Sequence, residues 1–228
     1  MSGTWAIVVA GGTGTRFGRP KQYESLQGRP VLAWSLSAAR RACDHVVLVL
    51  PAADVPVTRG EQAGAAGGDG APRWDADVIV AGGVTRSDSV RAGLAVVDAD
   101  AAVVVVHDAA RPLAPPSLWH AVISAIEAGA DGAVPTVAVT DTVKEVRADG
   151  TLLTLERAAL VAVQTPQAFA PDALRAAHGA GAVATDDAAL IEAAGGRVVT
   201  VPGAAVNLKI TERSDLIVAD ALLRTPVA

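Results

Sequence analysis

Glycines and basic residues lie close together in residues 10–22, AGGTGTRFGRPKQ, directly after an apolar run. Glycine lets backbone N–H groups approach a ligand closely and tolerates positive φ. A concave row of such amides suits phosphate oxygens. Arg16 adds a planar guanidinium and Lys21 a compact ammonium, so the segment is predicted to bind a polyphosphate. The glycines expected to approach the ligand are Gly11, Gly12 and Gly14.

Two later motifs each follow a predicted strand, GGVTRSDSV at 82–90 and HDAARP at 107–112. In a parallel sheet they reach the same edge as the glycine loop. Gly83 permits backbone contact with a flat base, and Ser89 can contact a ligand. A helix is predicted to begin here, capped by Ser87, Asp88 or Ser89.

The carboxylate of Asp108 is suited to sugar hydroxyls or a metal–phosphate unit, and the alternative is a loop residue paired with Arg111. Lys209, in NLKIT after the last predicted strand, is by itself typical of a surface lysine. None of the four histidines is assigned a chemical role, and His107 is predicted to be structural.

The sequence of this loop does not match two other well-known phosphate-binding motifs. A dinucleotide fingerprint requires G-x-G-x-x-G, but Phe17 occupies the third glycine position, and Pro51 rather than an acidic residue follows the second strand. A P-loop requires a Gly-Lys pair, which does not follow this loop. A dehydrogenase is therefore disfavoured.

The composition limits the kind of ligand that the chain could bind. The 228 residues carry a net charge of -5, which argues against broad nucleic-acid binding, so local cations must serve a small ligand. The single cysteine, Cys43, fits a reducing cytoplasm. The opening MSGTW lacks the pattern of a secretion signal, and no apolar stretch approaches the length of a membrane span.

Alternating β-branched and Ala/Leu-rich segments predict an α/β fold with a mostly parallel sheet covered on both faces. We expect a single domain over 1–228. The predicted strands are 5–10, 45–50, 78–81, 102–107, 132–136, 161–164 and 198–201, and the predicted helices are 31–42, 87–97, 117–128, 171–179 and 186–194.

Two segments interrupt this alternation. Residues 57–77 are rich in glycine and alanine and predict a mobile surface loop. Residues 139–157 contain two strand-like runs around the turn ADG, which predicts a β-hairpin inserted between two core strands. Since an isolated hairpin is marginal in water, we expect this arm to pack on a partner subunit, the alternative being packing on its own domain.

Taken together, the motifs AGGTGTRFGRPKQ, GGVTRSDSV, HDAARP, TDTVK, TPQAF, TDDA and NLKIT resemble the 2-C-methyl-D-erythritol 4-phosphate cytidylyltransferases across nearly the whole chain. HDAARP with NLKIT is the more specific part of this resemblance. The family often has Pro-Ala-Ala-Gly where this chain has Val9, Ala10, Gly11 and Gly12. The resemblance implies a Rossmann-like three-layer nucleotidyltransferase fold with a projecting β-hairpin arm.

The resemblance also implies an activity, the transfer of a cytidylyl group from CTP to the phosphorylated polyol with release of pyrophosphate. Mg²⁺ is expected, held mainly by the CTP phosphates, and the arm is expected to form a homodimer. Residue by residue, the implied roles are transition-state stabilisation by Arg16 and Lys21, substrate positioning by Arg157 and Lys209, nucleotide binding by Ala10, Gly11, Gly12, Gly14, Gly83 and Ser89, and substrate binding by Asp108, Arg111, Thr142 and Thr165.

Two rivals share these motifs. A ribitol 5-phosphate cytidylyltransferase would have the same glycine loop and HDAARP, because its substrate is also a phosphorylated polyol. A nucleotide-binding regulator without catalysis is disfavoured by the presence of Arg16, Lys21, Arg157 and Lys209.

Overall fold

The computed structural model describes residues 3–11, 17–18, 20–55, 74–179, 181 and 183–224. Their strands are β1 (Thr4–Val9), β2 (Ser25–Leu26), β3 (Arg29–Pro30), β4 (His45–Leu50), β5 (Val78–Ala81), β6 (Val103–Asp108), β7 (Gly132–Ala138), β8 (Lys144–Val146), β9 (Leu152–Thr154), β10 (Val161–Val163), β11 (Gln167–Phe169) and β12 (Val198–Pro202). Their helices are α1 (Val31–Ala42), α2 (Arg86–Leu94), α3 (Pro116–Glu127), α4 (Pro171–Gly179), α5 (Asp187–Ala193) and α6 (Arg213–Arg224).

The central sheet of the described residues has the order β10-β7-β11-β6-β1-β4-β5, with β12 also paired to β7. Strands β1, β4, β5 and β6 pair in parallel, and so do β7 and β12. Strand β11 runs antiparallel to both β6 and β7, so it sits between two strands that point the same way. The parallel strands therefore bring their carboxyl ends, and the loops that follow them, to one edge.

Alternation along β1 divides the core into two layers, because successive side chains point to opposite faces of a strand. Ala6 and Val8 pack with α1 and α3, whereas Trp5 and Ile7 pack with α2, α4 and α5. Helices therefore cover both faces of the sheet, and the expected three-layer α/β fold is confirmed. That the whole chain forms one domain stays a prediction.

A smaller apolar cluster lies beside this core. Phe17, Leu26 and Val31 pack with Ile210 and with Ala219 of α6. The cluster joins the segment that follows the glycine loop to the segment that carries Lys209, although the two are far apart in sequence.

The predicted arm is present as a hairpin. Strands β8 and β9 pair only with each other among the described strands, and the Lys144 Nζ donates a hydrogen bond of 2.7 Å to the Thr154 Oγ1. Gly150 closes the turn with a φ of +81°, which favours glycine. Val146 and Leu152 are exposed at 72% and 59%, so the hairpin leaves apolar surface uncovered within one chain.

Several sequence expectations need correction. Residues 161–164 were expected to form a core strand, but β10 ends at Val163 and is exposed at the edge of the sheet. β11 and α6 were not predicted: β11 has only three residues, and the apolar positions of α6 lie among charged ones. Of the predicted loop 57–77, residues 57–73 lie outside the described residues, whereas 74–77 are anchored, since the Asp77 carboxylate accepts hydrogen bonds from Arg40 and from the Val46 N–H.

Within the described ranges, no helix is both long enough and apolar enough to cross a membrane.

Candidate active site

A cavity of about 280 Å³ opens at the carboxyl edge of the sheet. It forms there because β1 lies between β4 and β6, and Val9 is level with Val49 and Asp108. Loops that follow β1, β5 and β6 therefore meet, and Lys21 and Lys209 approach from outside the sheet. The expected site residues that line this cavity are Ala10, Gly11, Lys21, Gly83, Ser89, Asp108 and Lys209.

Other expected residues do not line the cavity. Gly12, Gly14 and Arg16 lie outside the described residues. Arg111, Thr142, Arg157 and Thr165 are described but are absent from the cavity wall. The structure thus brings two of the four predicted catalytic cations, Lys21 and Lys209, to one place within a single chain.

Asp108 is the centre of charge in the cavity. Its Oδ2 lies 2.6 Å from the Lys209 Nζ, and its Oδ1 lies 3.2 Å from the Arg86 Nε. Burial raises the pKa of Asp108, but the charges of Arg86 and Lys209 outweigh it and hold that pKa well below its usual range. The carboxylate is therefore ionised at neutral pH. Its oxygens pair with Lys209 and Arg86, whereas the Arg111 guanidinium donates to the Asn207 carbonyl oxygen, so the alternative pairing of Asp108 with Arg111 is not the one found.

Residues behind Asp108 fix its backbone. The Asp108 N–H donates to the Thr165 Oγ1 at 3.0 Å, and this hydroxyl lies 3.2 Å from the His107 Nδ1. The other ring nitrogen of His107 lies 3.1 Å from the Arg111 carbonyl oxygen. Burial lowers the pKa of His107 to about 4, so the ring is neutral at pH 7, consistent with the structural role expected for it. A substrate contact for Thr165 stays a prediction.

Arg111 supports the loop that carries Lys209. Its Nη1 donates to the Asn207 carbonyl oxygen at 2.7 Å, and burial lowers the pKa of its guanidinium. The Asn207 side chain donates to Thr165 and Gln164, and the Ile210 N–H donates to the Ala110 carbonyl oxygen at 2.8 Å. The backbone on both sides of Lys209 is thereby tied to the end of β6.

The loop before α2 is shaped by packing. Thr85, rather than the residues predicted, caps the helix through reciprocal hydrogen bonds with Asp88. The Ser89 hydroxyl donates to the Thr85 carbonyl oxygen at 3.1 Å and accepts from the Gly83 N–H at 3.3 Å. A Cβ on Gly83 would lie 2.2 Å from the Asp88 Cβ, so this position requires glycine whether or not a base binds there.

Lys21 begins a short 3₁₀ turn that is fixed by its neighbours. Gln22 is buried, and the Tyr23 Oη donates to the Asp54 Oδ2 at 2.6 Å. Although burial raises the pKa of Asp215 at the start of α6, hydrogen bonds from the Thr211 and Glu212 N–H groups and the charge of Lys21 lower it below its ordinary value. Lys21 therefore has a carboxylate of α6 nearby.

The two expected site residues of the arm, Arg157 and Thr142, lie away from the cavity of this chain. The Arg157 Nη1 donates to the Thr140 carbonyl oxygen at 2.5 Å in an exposed position, and Thr142 is also exposed. Neither faces the cavity formed by its own chain.

Sequence reasoning missed Arg86. Its Nη1 lies 2.7 Å from the Asp187 Oδ2, so its guanidinium bridges two carboxylates. Burial lowers the pKa of the Arg86 guanidinium, but the charges of Asp108 and Asp187 outweigh burial and raise that pKa above its ordinary value. The guanidinium is therefore always charged. A signal was available, since Arg86 is the basic residue within GGVTRSDSV at a strand-to-helix junction on the site edge.

The donor set bears on the expected metal. The described residues contain no cluster of three or more His, Cys, Asp or Glu that could hold a metal ion. The cavity supplies one carboxylate, Asp108, beside backbone amides. Mg²⁺ commonly binds through one or two carboxylates plus substrate phosphates, so this set fits an ion held mainly by a bound nucleotide.

A second cavity, of about 270 Å³, lies between α1 and α6. Trp34, Leu113 and Leu223 are part of its wall, and of its lining residues, all described, Arg41 alone carries a charge. It lacks the converging cations that phosphates require.

A sheet covered by helices on both faces that presents two lysines, an arginine and a carboxylate to one cavity is the arrangement expected of a nucleotidyltransferase. Solved structures agree in fold: 2-C-methyl-D-erythritol 4-phosphate cytidylyltransferase from Thermus thermophilus is 34% identical, with a TM-score of 0.77 over 99% of this chain and 100% of that one. The 4-diphosphocytidyl-2C-methyl-D-erythritol synthase from Anaerococcus prevotii is 28% identical, with a TM-score of 0.81 over 98% and 99%.

The sequence comparisons give the particular family. A 2-C-methyl-D-erythritol 4-phosphate cytidylyltransferase of Frankia casuarinae is 45% identical over 96% of this chain and 80% of the relative, and one of Saccharopolyspora erythraea is 42% identical over 96% and 98%. Residues 4–225 match the family IspD, 2-C-methyl-D-erythritol 4-phosphate cytidylyltransferase. The chain belongs to this family, and the expected resemblance is confirmed.

Proposed function

We propose that the chain joins CTP and 2-C-methyl-D-erythritol 4-phosphate through the cavity at the carboxyl edge of the sheet. A phosphate oxygen of the polyol attacks the α-phosphorus of CTP, and the bond to pyrophosphate breaks. The observation that carries this assignment is the convergence of Lys21, Asp108 and Lys209 on one cavity of about 280 Å³.

The reaction needs positive charge more than a base. The attacking group is already an anionic phosphate, so the difficulty lies in bringing two anions together and holding them in line. Cations aimed at the charge that develops in the transition state supply this stabilisation. We assign Lys21, together with Arg16, to the α-phosphate, and Lys209 to the incoming phosphate.

The nucleotide is placed against the loops after β1 and β5. Ala10, Gly11 and Gly83 offer backbone groups at the cavity wall, and Ser89 shapes the loop that carries Gly83. We assign nucleotide binding to Gly12 and Gly14, in the rest of the glycine loop, as well. Asp108 suits a hydroxyl or ion beside the phosphates. Thr165 acts through the Asp108 backbone, and Arg111 acts through the loop that carries Lys209.

Mg²⁺ is part of the proposal as a partner of the nucleotide. When bound, it neutralises phosphate charge and helps hold the triphosphate in place. Asp108 is the described carboxylate positioned to contact it. We infer a cytoplasmic location from the single cysteine, Cys43, which has no second cysteine in the sequence to form a disulfide with.

The arm is proposed to complete the site of a second subunit. Val146 and Leu152 leave apolar surface exposed on a hairpin that is marginal by itself, which favours a protein partner. Arg157 and Thr142 belong to the same arm and are exposed, and neither lines the cavity of their own chain. A homodimer would let these two residues contact the substrate phosphate in the neighbouring subunit.

Two experiments test this assignment. Pyrophosphate release is measured with CTP and either methylerythritol phosphate or ribitol 5-phosphate, and we expect turnover with the first and little with the second. Preference for ribitol 5-phosphate, or no turnover with either, would contradict the assignment. For the arm, Val146→Asp should shift the mass measured by light scattering from dimer to monomer, whereas Val183→Asp, at another exposed valine, should not. A wild-type monomer would refute the dimer.

A further inference from the structure

A row of charged side chains continues from the cavity into the interior. The Lys209 Nζ lies 2.6 Å from Asp108, and the Arg86 Nε lies 3.2 Å from the other oxygen of that carboxylate. The Arg86 Nη1 then lies 2.7 Å from Asp187, which is fully buried at the start of α5. Positive and negative groups alternate along this row, so each one is held by an opposite charge.

Asp187 has no part in capping the helix that it begins. The neighbouring Asp186 does that, because its carboxylate accepts a hydrogen bond of 3.0 Å from the Ala189 N–H. Both oxygens of Asp187 are used away from the helix backbone, one with Arg86 and the other with the His178 Nε2 at 2.9 Å. Helix formation therefore leaves the buried charge of Asp187 unexplained.

A gain in folding stability does not explain the buried charge of Asp187 either. A buried ion pair is often no more stabilising than well-packed apolar residues of similar volume, because both charges lose their hydration. Yet the row ends at the ammonium of Lys209, whose side chain is 40% exposed at the cavity. Its exposed end lies where anions are expected to react.

The guanidinium of Arg86 is well suited to transmit position. Its planar fork holds two carboxylates at once and so cannot rotate without losing one of them. With one Asp108 oxygen held by Arg86, the other is directed at Lys209. Burial raises the pKa of Asp187, but His178 and Arg86 lower it below its ordinary value, so the interior end of the row stays anionic.

We propose that Asp187 and Arg86 are positioning residues for phosphoryl transfer: Asp187 holds Arg86, Arg86 holds Asp108, and Asp108 sets the place of the Lys209 ammonium in the cavity. The proposal rests on the proposed function, because it presumes that Lys209 meets the incoming phosphate.

The test compares two neighbouring carboxylates. Asp187→Asn removes the interior charge, whereas Asp186→Asn makes the same change one residue earlier and keeps a side chain that caps helices well. We expect Asp187→Asn to lower kcat/KM for methylerythritol phosphate by roughly tenfold or more, as expected for a misplaced binding group, with KM for CTP changed less than about threefold. Asp186→Asn should change kcat/KM for either substrate by less than about threefold.

A double-mutant cycle separates positioning from a general structural role. In a Lys209→Met background the group to be positioned is gone, so adding Asp187→Asn should cost less than about twofold. Undiminished loss in that background would overturn the proposal, and so would an Asp187→Asn enzyme with wild-type kinetics.

Folding and function are controlled separately. Circular dichroism and thermal unfolding establish that each variant is folded. If Asp187→Asn is not folded, Arg86→Lys is tested instead, because lysine keeps the charge but lacks the planar fork whose two nitrogens hold the two carboxylates. Since Arg86 also lines the cavity, the substitution is made in the wild-type and Lys209→Met backgrounds. A loss of about tenfold in the first and of less than about twofold in the second is expected, and wild-type kinetics of Arg86→Lys or an undiminished loss with Lys209→Met would overturn the proposal. A wild-type enzyme that releases no pyrophosphate contradicts the proposed function itself, whereas an active wild type with an equally active Asp187→Asn variant contradicts only the positioning.

Discussion

Replacing Lys209 with methionine removes the ammonium from the cavity while keeping an unbranched side chain of similar length. The Nζ that is lost lies 2.6 Å from the Asp108 Oδ2, and the loop around it is held by Asn207 and Ile210. Asp108 keeps its contact with Arg86. The perturbation is therefore local, and the protein should fold normally.

The size of the effect follows from the contact that Lys209 is proposed to make. A hydrogen bond to a charged group contributes about 1.5–3 kcal/mol, which corresponds to about 10- to 150-fold in rate. The Lys209 side chain is 40% exposed, so solvent screening weakens its charge. We therefore expect kcat/KM for methylerythritol phosphate to fall by about 10- to 40-fold, in the lower part of that range.

Steady-state pyrophosphate release, with each substrate varied in turn, measures this loss. The matched control is Arg213→Gln, which removes an exposed positive charge four residues further on, outside the cavity wall. It should leave kcat/KM within about twofold of wild type. The reasoning is refuted if Lys209→Met and Arg213→Gln behave alike, or if Lys209→Met changes only KM for CTP.

Three further predictions follow from the same geometry. Lys21→Ala should lower kcat with CTP by roughly 10²-fold or more, the scale for a lost transition-state donor, in the same assay. Arg157→Ala should weaken use of methylerythritol phosphate, and mixing it with Lys21→Ala should partly restore activity if the arm acts across subunits. Burial lowers the pKa of His107 from 6.5 to about 4, so the neutral ring contributes fully to the stability of the fold above pH 6.5. As the pH falls towards 4, the free energy of unfolding measured with urea should drop by about 3 kcal/mol.

Each of these has an outcome that counts against it. Near-normal turnover of Lys21→Ala would contradict its role at the α-phosphate. Absence of rescue after verified subunit exchange would favour an arm that works within its own chain. For pH, His107→Gln should flatten the dependence of unfolding free energy between pH 4 and 6.5, whereas His120→Gln, at an exposed histidine, should not; equal slopes in both variants would exclude His107 as the cause.

Local patterns in the sequence were enough to predict most of the fold. The boundaries of β4, β5, α1 and α4 agree with the predicted segments, and the hairpin between residues 139 and 157 is where its turn residues indicated. Strand β11 was missed because it is three residues long, too short for a hydrophobic period to be visible. The exposure of β10 was missed because a run of apolar residues does not reveal whether the strand lies inside the sheet or at its uncovered edge.

The sequence by itself determined which chemistry the chain carries: glycines for close backbone approach, basic residues for phosphate, and motifs in an order that indicated the family. The tertiary structure alone decided which charges meet. Asp108 pairs with Arg86, 22 residues away, and with Lys209, 101 residues away, rather than with nearby Arg111. Local periodicity reports the burial of each segment, but an ion pair depends on which loops the strand order brings to one edge, and that order is set by packing of the whole sheet.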